Sequence, residues 1–232
     1  MRMAGIIGGI APESTIQYYR QIVDAYRAQQ PDGSYPPVII NSIDMTKMLD
    51  LIGAARLAEV TAYLLREIGR LASAGADFGV LASNTPHLVF AALREGSPIP
   101  LISIVEAACE AAQEARMQRI GLFGTRFTMQ GRLYPDIFSQ AGITVVVPEP
   151  DEQTYIHDKY MGELVRGIFL PETRARLLEI AGNLRRREAV DGLILDGTEL
   201  PLILTEPAYD GLPMLDTTKL HVQKIVAEIL RH

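Results

Sequence analysis

Small polar side chains follow apolar segments at several places in the sequence, as they do where strands end and helices begin. Such hydroxyl and amide groups, together with the backbone N–H groups at a helix start, can bind an anion. Thr125 and Thr128 could both donate to the same anion. Because few fixed positive charges accompany them, these segments suit a small carboxylate better than a nucleotide. The four segments are Gly8–Ser14, Ser83–His87, Gly124–Thr128 and Asp196–Glu199.

Each polar segment follows a predicted strand, and predicted strands alternate with predicted helices. Apolar runs bounded by turn residues predict strands, and apolar residues at three- and four-residue steps predict helices. The alternation predicts an α/β fold with mostly parallel sheet. The predicted strands are Met3–Ile7, Pro37–Ile43, Phe78–Ala82, Leu101–Ile104, Arg119–Phe123, Ile143–Val147 and Gly192–Leu195. The predicted helices include Arg56–Ala74, Val105–Arg116, Thr154–Arg166, Glu172–Arg187 and His221–Leu230.

The chain also resembles itself in two places. Gly5–Gly9 is similar to Gly121–Thr125, 116 residues later, and Asp77–Thr85 is similar to Asp191–Glu199, 114 residues later. Two motifs with nearly the same offset indicate a duplicated half. We therefore expect two pseudo-symmetric lobes, each with a mostly parallel sheet flanked by helices. Because ligands bind beyond the carboxyl ends of such strands, we expect the polar segments to line one interlobe cleft.

Composition narrows the possible partners. The chain has 232 residues, of which 48% are hydrophobic and 22% charged, as in soluble globular proteins. Its net charge of −6 argues against nucleic acid. The single cysteine, Cys109, excludes an intrachain disulfide framework and a cysteine-cluster metal site, and the histidines show no ligand spacing, so we expect no metal. No apolar run approaches the ~20 residues that span a bilayer, so we expect a cytoplasmic protein without a membrane partner.

Four motifs follow one another along the chain, namely Gly8–Thr15, Ser83–His87, Gly124–Thr128 and Gly197–Leu200. In this order and at these intervals they resemble the aspartate/glutamate racemase family. The resemblance covers nearly the whole chain and is closest to the aspartate racemase and L-aspartate/glutamate-specific branch. It implies one lobe of residues 1–98 with about 208–232, a second of residues 99–207, and usually a homodimer. It also implies chemistry at the α-carbon of an amino acid, without pyridoxal phosphate or another cofactor.

The two catalytic positions of that family are substituted in this chain. The family mechanism uses two opposed acid–base groups, usually cysteines, of which one removes the α-proton and the other returns a proton to the opposite face. Ser83 and Gly197 occupy these positions here, so the two-thiol mechanism cannot run. A serine hydroxyl needs a neighbouring base, and glycine supplies no side chain. If the remainder is a racemase site, replacing both residues by cysteine should create or raise racemase activity.

The resemblance also implies a set of substrate-binding residues. In the family a polar or basic residue near the start of the second helix helps to bind a second carboxylate, but the matching position here is Ile52. Lys47 lies nearby and could serve, or it could be a solvated side chain. Glu199 could orient the strand-end loop by accepting backbone N–H bonds. The implied binding residues are Ile10, Asn84, Thr85, Thr125, Thr128, Thr198 and Glu199.

Asp196 could replace a missing thiol as a carboxylate base. It lies four residues after Gly192, as Ser83 lies four residues after Gly79, and burial would raise its pKa toward neutrality. Alternatively, Asp196 faces away and caps the following turn. His87 has two possible roles as well, because it could shuttle a proton or bond a loop carbonyl.

Three functions remain open at this point. The first is an amino-acid racemase or epimerase with altered acid–base groups. The second is a decarboxylase or isomerase of small dicarboxylates, which needs a single proton donor. The third is a non-catalytic protein that binds an amino acid or carboxylate.

Overall fold

The structure is a computed structural model of the chain, and it describes residues 1–10, 12–30 and 32–231. The chain divides into two compact units. The first comprises residues 1–104 and the chain from residue 221 onward, and the second comprises Val105–Leu220. Among the described residues, no helix is both long enough and apolar enough to cross a membrane.

A parallel sheet organises the first unit. Its strands are β1 (Ala4–Gly8), β2 (Val38–Ser42), β3 (Phe78–Leu81) and β4 (Leu101–Ile102). They pair in parallel in the order β2-β1-β3-β4. The helices are α1 (Pro12–Gln29), α2 (Met45–Gly53), α3 (Leu57–Ser73) and α4 (Phe90–Gly96), and a 3₁₀ turn covers Thr85–Val89.

A mostly parallel sheet organises the second unit. Its strands are β5 (Arg119–Phe123), β6 (Thr144–Val146), β7 (Gly192–Leu195), β8 (Ala208–Tyr209) and β9 (Leu212–Asp216). Their order is β6-β5-β7-β9-β8, with β8 antiparallel to β9. The helices are α5 (Ile104–Glu114), α6 (Arg126–Gln130), α7 (Leu133–Gln140), α8 (Pro150–Gly162), α9 (Pro171–Glu188) and α10 (Leu200–Ile203). The last helix, α11 (Thr217–Ile229), begins in the second unit and ends in the first.

The two sheets repeat one topology. Strands β1, β2, β3 and β4 have the same order in their sheet as β5, β6, β7 and β9 have in theirs. In each sheet the chain first adds a strand on one side of its starting strand and then continues on the other side. This reversal creates a switch point between β1 and β3, and another between β5 and β7, where α/β sheets bind ligands. The predicted α/β fold with two mostly parallel sheets flanked by helices is confirmed.

Two segments lie in a different unit from the one predicted. The sequence predicts residues 99–104 in the second lobe, but they belong to the first unit, where β4 pairs with β3. The sequence also predicts residues from about 208 onward in the first lobe, but residues 208–220 belong to the second unit. The reason is β9, which pairs with β7 through Leu193 with Met214 and Leu195 with Asp216. The local pattern hides this strand, because it contains Pro213 and its partner is distant in sequence.

The central strands are buried on both faces by helices. Every residue of β3 and of β7 is buried, which explains why these strands are continuous apolar runs in the sequence. Each fully buried leucine, isoleucine or phenylalanine contributes roughly 1.5–3 kcal/mol. The single cysteine, Cys109, is buried on α5. Core residues of the first unit include Ile7, Leu64, Ile68 and Leu81, and those of the second include Phe123, Leu177, Ile180 and Leu193.

Candidate functional site

The polar segment after β3 forms a tight turn that a histidine holds in shape. Ser83 is half-buried, Asn84 is buried, and the 3₁₀ turn that follows begins at the half-buried Thr85. His87 Nδ1–H donates to the Ser83 carbonyl oxygen at 2.9 Å. The backbone N–H of Ile104 donates to His87 Nε2 at 3.2 Å. The backbone therefore occupies both ring nitrogens of His87.

A second buried histidine, His221, braces the same edge of this sheet. Its Nε2–H donates to the carbonyl oxygen of Ile102, the last residue of β4, at 3.1 Å. The hydroxyl of Tyr18 donates to its Nδ1 at 3.0 Å. Burial, together with His221 nearby, lowers the pKa of His87 to about 3, and burial lowers the pKa of His221 to about 4. Of the two roles open for His87, bonding of a loop carbonyl is the observed one, because neither ring nitrogen is free to shuttle a proton.

The hydroxyl of Ser83 has no base beside it. Its carbonyl oxygen accepts from His87, but within residues 1–10, 12–30 and 32–231 its Oγ makes no hydrogen bond. A serine hydroxyl becomes a useful base or nucleophile when an adjacent group takes its proton. The described surroundings of Ser83 supply no such group.

Ile10 and Lys47 differ in how well they fit their expected roles. Ile10 was expected to bind substrate, but its side chain is buried in the apolar core of the first unit beside Met48, so only its backbone is left for that role. The loop after β1 turns this side chain inward because burial of an isoleucine is favourable. Ile52 packs against the same core. The exposed Lys47 holds its Nζ 4.8 Å from the centroid of the Tyr63 ring.

In the second unit, Asp196 reaches from the end of β7 to the loop after β5. Its buried carboxylate accepts from the Tyr134 hydroxyl at 3.1 Å and bonds the Thr128 hydroxyl. Gly124 makes room for it, because a Cβ on that residue would lie 2.7 Å from Asp196 Oδ2. The side chain therefore bonds residues of α6 and α7 instead of capping its own turn. Burial raises the pKa of Asp196 to about 6, against the opposing effect of these hydrogen bonds.

Asp196 also determines what the two threonines of the β5 loop can bind. The hydroxyl oxygens of Thr125 and Thr128 lie 3.3 Å apart. When Asp196 is ionised it accepts a hydrogen bond from the Thr128 hydroxyl, so the Thr125 hydroxyl is the one left to donate to an anion. The exposed Arg126 between them has its guanidinium 4.0 Å from the Asp158 carboxylate, and its backbone N–H donates to His157 at 3.2 Å.

The space beside Gly197 is filled by a tyrosine from α8. Gly197 has a φ of +103°, a conformation that residues with a side chain rarely adopt. A Cβ on this residue would overlap the Tyr160 hydroxyl oxygen and lie 3.0 Å from Tyr160 Cζ. That hydroxyl donates to Glu199 Oε2. The Glu199 carboxylate thus bonds a side chain of α8. Thr198, which lies between Gly197 and Glu199 in the sequence, is half-buried.

Comparison with known proteins assigns the family. A model of the Asp/Glu/hydantoin racemase family matches residues 7–225. The chain belongs to the Asp/Glu/hydantoin racemase family. A candidate Asp/Glu racemase from Yersinia pestis has a similar structure, with a TM-score of 0.92 and 27% identity over 100% of both chains. An aspartate racemase homologue from Pyrococcus horikoshii OT3 gives a TM-score of 0.88 and 28% identity, also over 100% of both chains.

Curated sequences show the same relationship over part of their length. The glutamate racemase of Beutenbergia cavernae is 26% identical over 190 residues, which are 78% of this chain and 62% of that protein. An uncharacterized protein of Pectobacterium carotovorum is 29% identical over 150 residues, which are 60% of this chain and 92% of that protein. The chain therefore spans about three fifths of the glutamate racemase that it matches.

Two tyrosines of this racemase-family chain were not predicted as site residues from the sequence. Tyr134 on α7 donates to Asp196, and Tyr160 on α8 donates to Glu199. Helix α7 was not predicted, so its tyrosine had no element to place it. Tyr160 follows the buried Ile156 by one helical turn, and this spacing predicts that it faces the core. The spacing does not predict which side chain its hydroxyl contacts.

We expect Asp196→Asn to flatten the pH dependence of stability. The folded pKa of about 6 exceeds the ordinary aspartate pKa of 3.8, so the contribution of Asp196 to stability is complete below pH 3.8 and is lost as pH rises through about 6. This loss amounts to roughly 3 kcal/mol at 1.36 kcal/mol per pKa unit. Urea unfolding between pH 4 and 7 should show the variant gaining stability relative to the native protein by roughly 2–3 kcal/mol.

Asp191→Asn is the matched control for that measurement. Asp191 accepts backbone N–H bonds from Gln118 and Arg119, which hold the pKa of its carboxyl below its usual range. Its contribution is present above the unfolded pKa and is lost as pH falls, so the relative stability of this variant should change in the opposite direction. Equal slopes for Asp196→Asn and the native protein would contradict the buried, protonatable carboxyl.

Proposed function

We propose that this protein catalyses racemase-type proton transfer at the α-carbon of a small amino acid. The observation that carries the proposal is the position of the polar segments. Ser83 and Asn84 follow β3 at the switch point of the first sheet, and the segments from Gly124 and from Asp196 follow β5 and β7 at the switch point of the second. Ligands of α/β sheets bind at such points, and the chain belongs to a family of racemases.

The groups at these strand ends suit an amino-acid carboxylate. We assign its binding to the Asn84 amide and to the hydroxyls of Thr85, Thr125 and Thr198, with Thr128 held in place by Asp196. Neutral donors of this kind can also stabilise the charge that develops on the α-carboxylate as the proton leaves. The proposal thus keeps the expected binding residues other than Glu199, which bonds Tyr160, and Ile10 contributes its backbone.

An aspartate- or glutamate-like substrate is the finer part of the proposal. A second carboxylate needs a cation or a strong donor. Lys47 is the cation that we assign to it, because it lies in the first turn of α2, the helix that follows the carboxyl end of β2. Tyr63 supports its ammonium group through a cation–π contact.

Loss of the α-proton signal in D₂O tests the proposal. Purified protein without added cofactor is incubated with a panel of L- and D-amino acids that includes aspartate and glutamate, and the α-proton is followed by NMR. We expect washout for at least one member, and a loss of 10-fold or more in Thr125→Val, which removes one hydroxyl at constant shape. The control is Thr154→Val, because that exposed hydroxyl bonds the Pro150 carbonyl on α8.

The same experiment separates the other two functions. Ligand-induced stabilisation follows RT ln(1 + [L]/Kd), so a thermal shift without washout for any amino acid identifies a binding protein and overturns the proposal. Consumption of malonates or maleate without amino-acid washout identifies a decarboxylase or isomerase. This last function has support of its own, because a single tyrosine–carboxylate pair, Tyr160 with Glu199, provides one proton donor.

We further propose that the protein acts without pyridoxal phosphate, in the cytoplasm and as a homodimer. These properties rest on the family resemblance. Activity that persists after dialysis with hydroxylamine, which removes pyridoxal phosphate, tests the first. Light scattering coupled to gel filtration tests the last, and a monomer at micromolar concentration would contradict it.

A further inference from the structure

We propose that Tyr160 and Glu199 form a proton relay that replaces the family's second thiol, so that residue 197 needs no side chain. This inference rests on the function proposed above and assigns one acid–base group of that reaction. It begins from the space beside Gly197. A side chain on residue 197 would have to begin where the Tyr160 hydroxyl now lies. The Tyr160 phenol, which comes from α8, therefore occupies the space that a side chain of residue 197 would take.

The Tyr160 phenol and the Glu199 carboxylate are hydrogen-bonded, so together they can move a proton. Tyr160 is 7% exposed and donates its proton to Glu199 Oε2. Burial, then the charge of Glu199, raises the pKa of Tyr160 well above its ordinary value. The isolated phenol therefore stays protonated and cannot serve as a base by itself. Joined to Glu199, it can accept a proton on its oxygen while it passes its own proton to the carboxylate.

The step balances without any further reactant. The α-carbon–hydrogen bond breaks, its proton bonds to the Tyr160 oxygen, and the electron pair is delocalised into the substrate's α-carboxylate. At the same time the Tyr160 proton moves to Glu199, which becomes neutral. The reverse step returns a proton from Glu199 through Tyr160 to the α-carbon. A deuteron returns instead when neutral Glu199 has exchanged with D₂O.

This relay predicts exchange with retention of configuration. Ser83, at the other family position, has no hydrogen-bonded base among the described residues. A protein with one working acid–base group takes and returns the proton on one face of the substrate. One enantiomer should therefore exchange its α-proton at least ~10-fold faster than it inverts, whereas a two-base racemase labels the product enantiomer as it forms.

The test combines two measurements on each variant. NMR in D₂O gives the rate of α-proton washout, and chiral chromatography of the same samples gives the rate of inversion. Tyr160→Phe keeps the ring and removes the hydroxyl, and Glu199→Gln keeps the shape and removes the base. General acid–base groups contribute about 10²–10⁴-fold, so we expect washout to fall by 10²-fold or more in both variants.

Tyr155→Phe is the matched control. Tyr155 lies on the same helix, is half-buried, and has no hydrogen bond on its hydroxyl within the described chain. We expect unchanged washout in this variant. The KM and the ligand-induced thermal shift of Tyr160→Phe and Glu199→Gln should stay within about 2-fold of native, because a relay acts on kcat and a packing role would change binding and melting as well.

The outcomes separate the relay from the function that it rests on. If the native protein washes out no α-proton in the panel, the proposed function fails and the relay fails with it. If the native protein exchanges protons and a folded, ligand-binding Tyr160→Phe exchanges them equally fast, the relay alone is overturned. Inversion as fast as washout also overturns the relay, because the protein would then transfer protons on both faces of the substrate's α-carbon. Should Tyr160→Phe fail to fold, Glu199→Gln decides between these results.

Discussion

A Gly197→Cys variant will be less stable than the native protein by about 2–5 kcal/mol, and it will not become a racemase. Two costs combine in this value. A left-handed or otherwise positive φ costs a residue with a Cβ roughly 1–2 kcal/mol, and Gly197 has a φ of +103°. Overpacking costs typically 1–3 kcal/mol, and here the new Cβ overlaps the Tyr160 hydroxyl.

The sequence alone leads to the opposite expectation for a cysteine at position 197. If position 197 is only a lost thiol position, Ser83→Cys with Gly197→Cys should restore activity. The structure leads us to expect the reverse, because Tyr160 fills the space and a thiol at position 197 would displace the phenol from Glu199. We expect the double cysteine variant to have lower α-proton washout than the native protein.

A double-mutant cycle isolates the steric part of the cost. Tyr160→Leu shortens the side chain, so Gly197→Cys should be about 1–2 kcal/mol less destabilising in that background, as expected for residues in contact. Urea unfolding of the four proteins measures this coupling. Gly162→Cys is the control, because a Cβ there meets nothing within 4 Å, and it should change stability by no more than about 0.5 kcal/mol. Additive effects of Gly197→Cys and Tyr160→Leu would contradict the observed contact.

Acid should unfold this protein through its two buried histidines. The folded pKa values of about 3 for His87 and about 4 for His221 lie below the ordinary histidine pKa of 6.5. The unfolded chain therefore binds protons that the folded chain does not, so this contribution is present above pH 6.5 and is lost as pH falls towards 4 and 3. At 1.36 kcal/mol per pKa unit the full loss is roughly 5 kcal/mol for His87 and roughly 3 kcal/mol for His221.

His221→Gln tests this mechanism. Glutamine lacks the titration and its amide N–H can still donate to the Ile102 carbonyl, which His221 Nε2 bonds in the native protein. The variant should be less stable near pH 7.5, and the difference from native should shrink by roughly 3 kcal/mol by pH 4 in urea unfolding. Because Asp196 and Asp216 have raised pKa values and act in the opposite direction, the comparison uses the difference between variant and native at each pH. A constant difference would contradict the pKa assigned to His221.

The sequence by itself determined the fold class and the polar strand ends. Strands β5 and β7 have the predicted bounds, and β3 ends one residue earlier than predicted. These features are local, because an uninterrupted apolar run needs helices on both faces and the turn residues that follow it end the strand. The repeated motifs likewise predicted a duplicated half, and the two sheets share one strand order.

Only the tertiary structure decided how the side chains at those strand ends are used. Asp196 reaches Thr128 and Tyr134, the Tyr160 hydroxyl fills the space beside Gly197, and His87 is locked between two backbone groups. Each of these contacts joins elements that the sequence separates, so no local periodicity encodes it. Packing selects the partner of a buried polar group, because such a group is stable where a donor or acceptor meets it, and that meeting exists only in the folded chain.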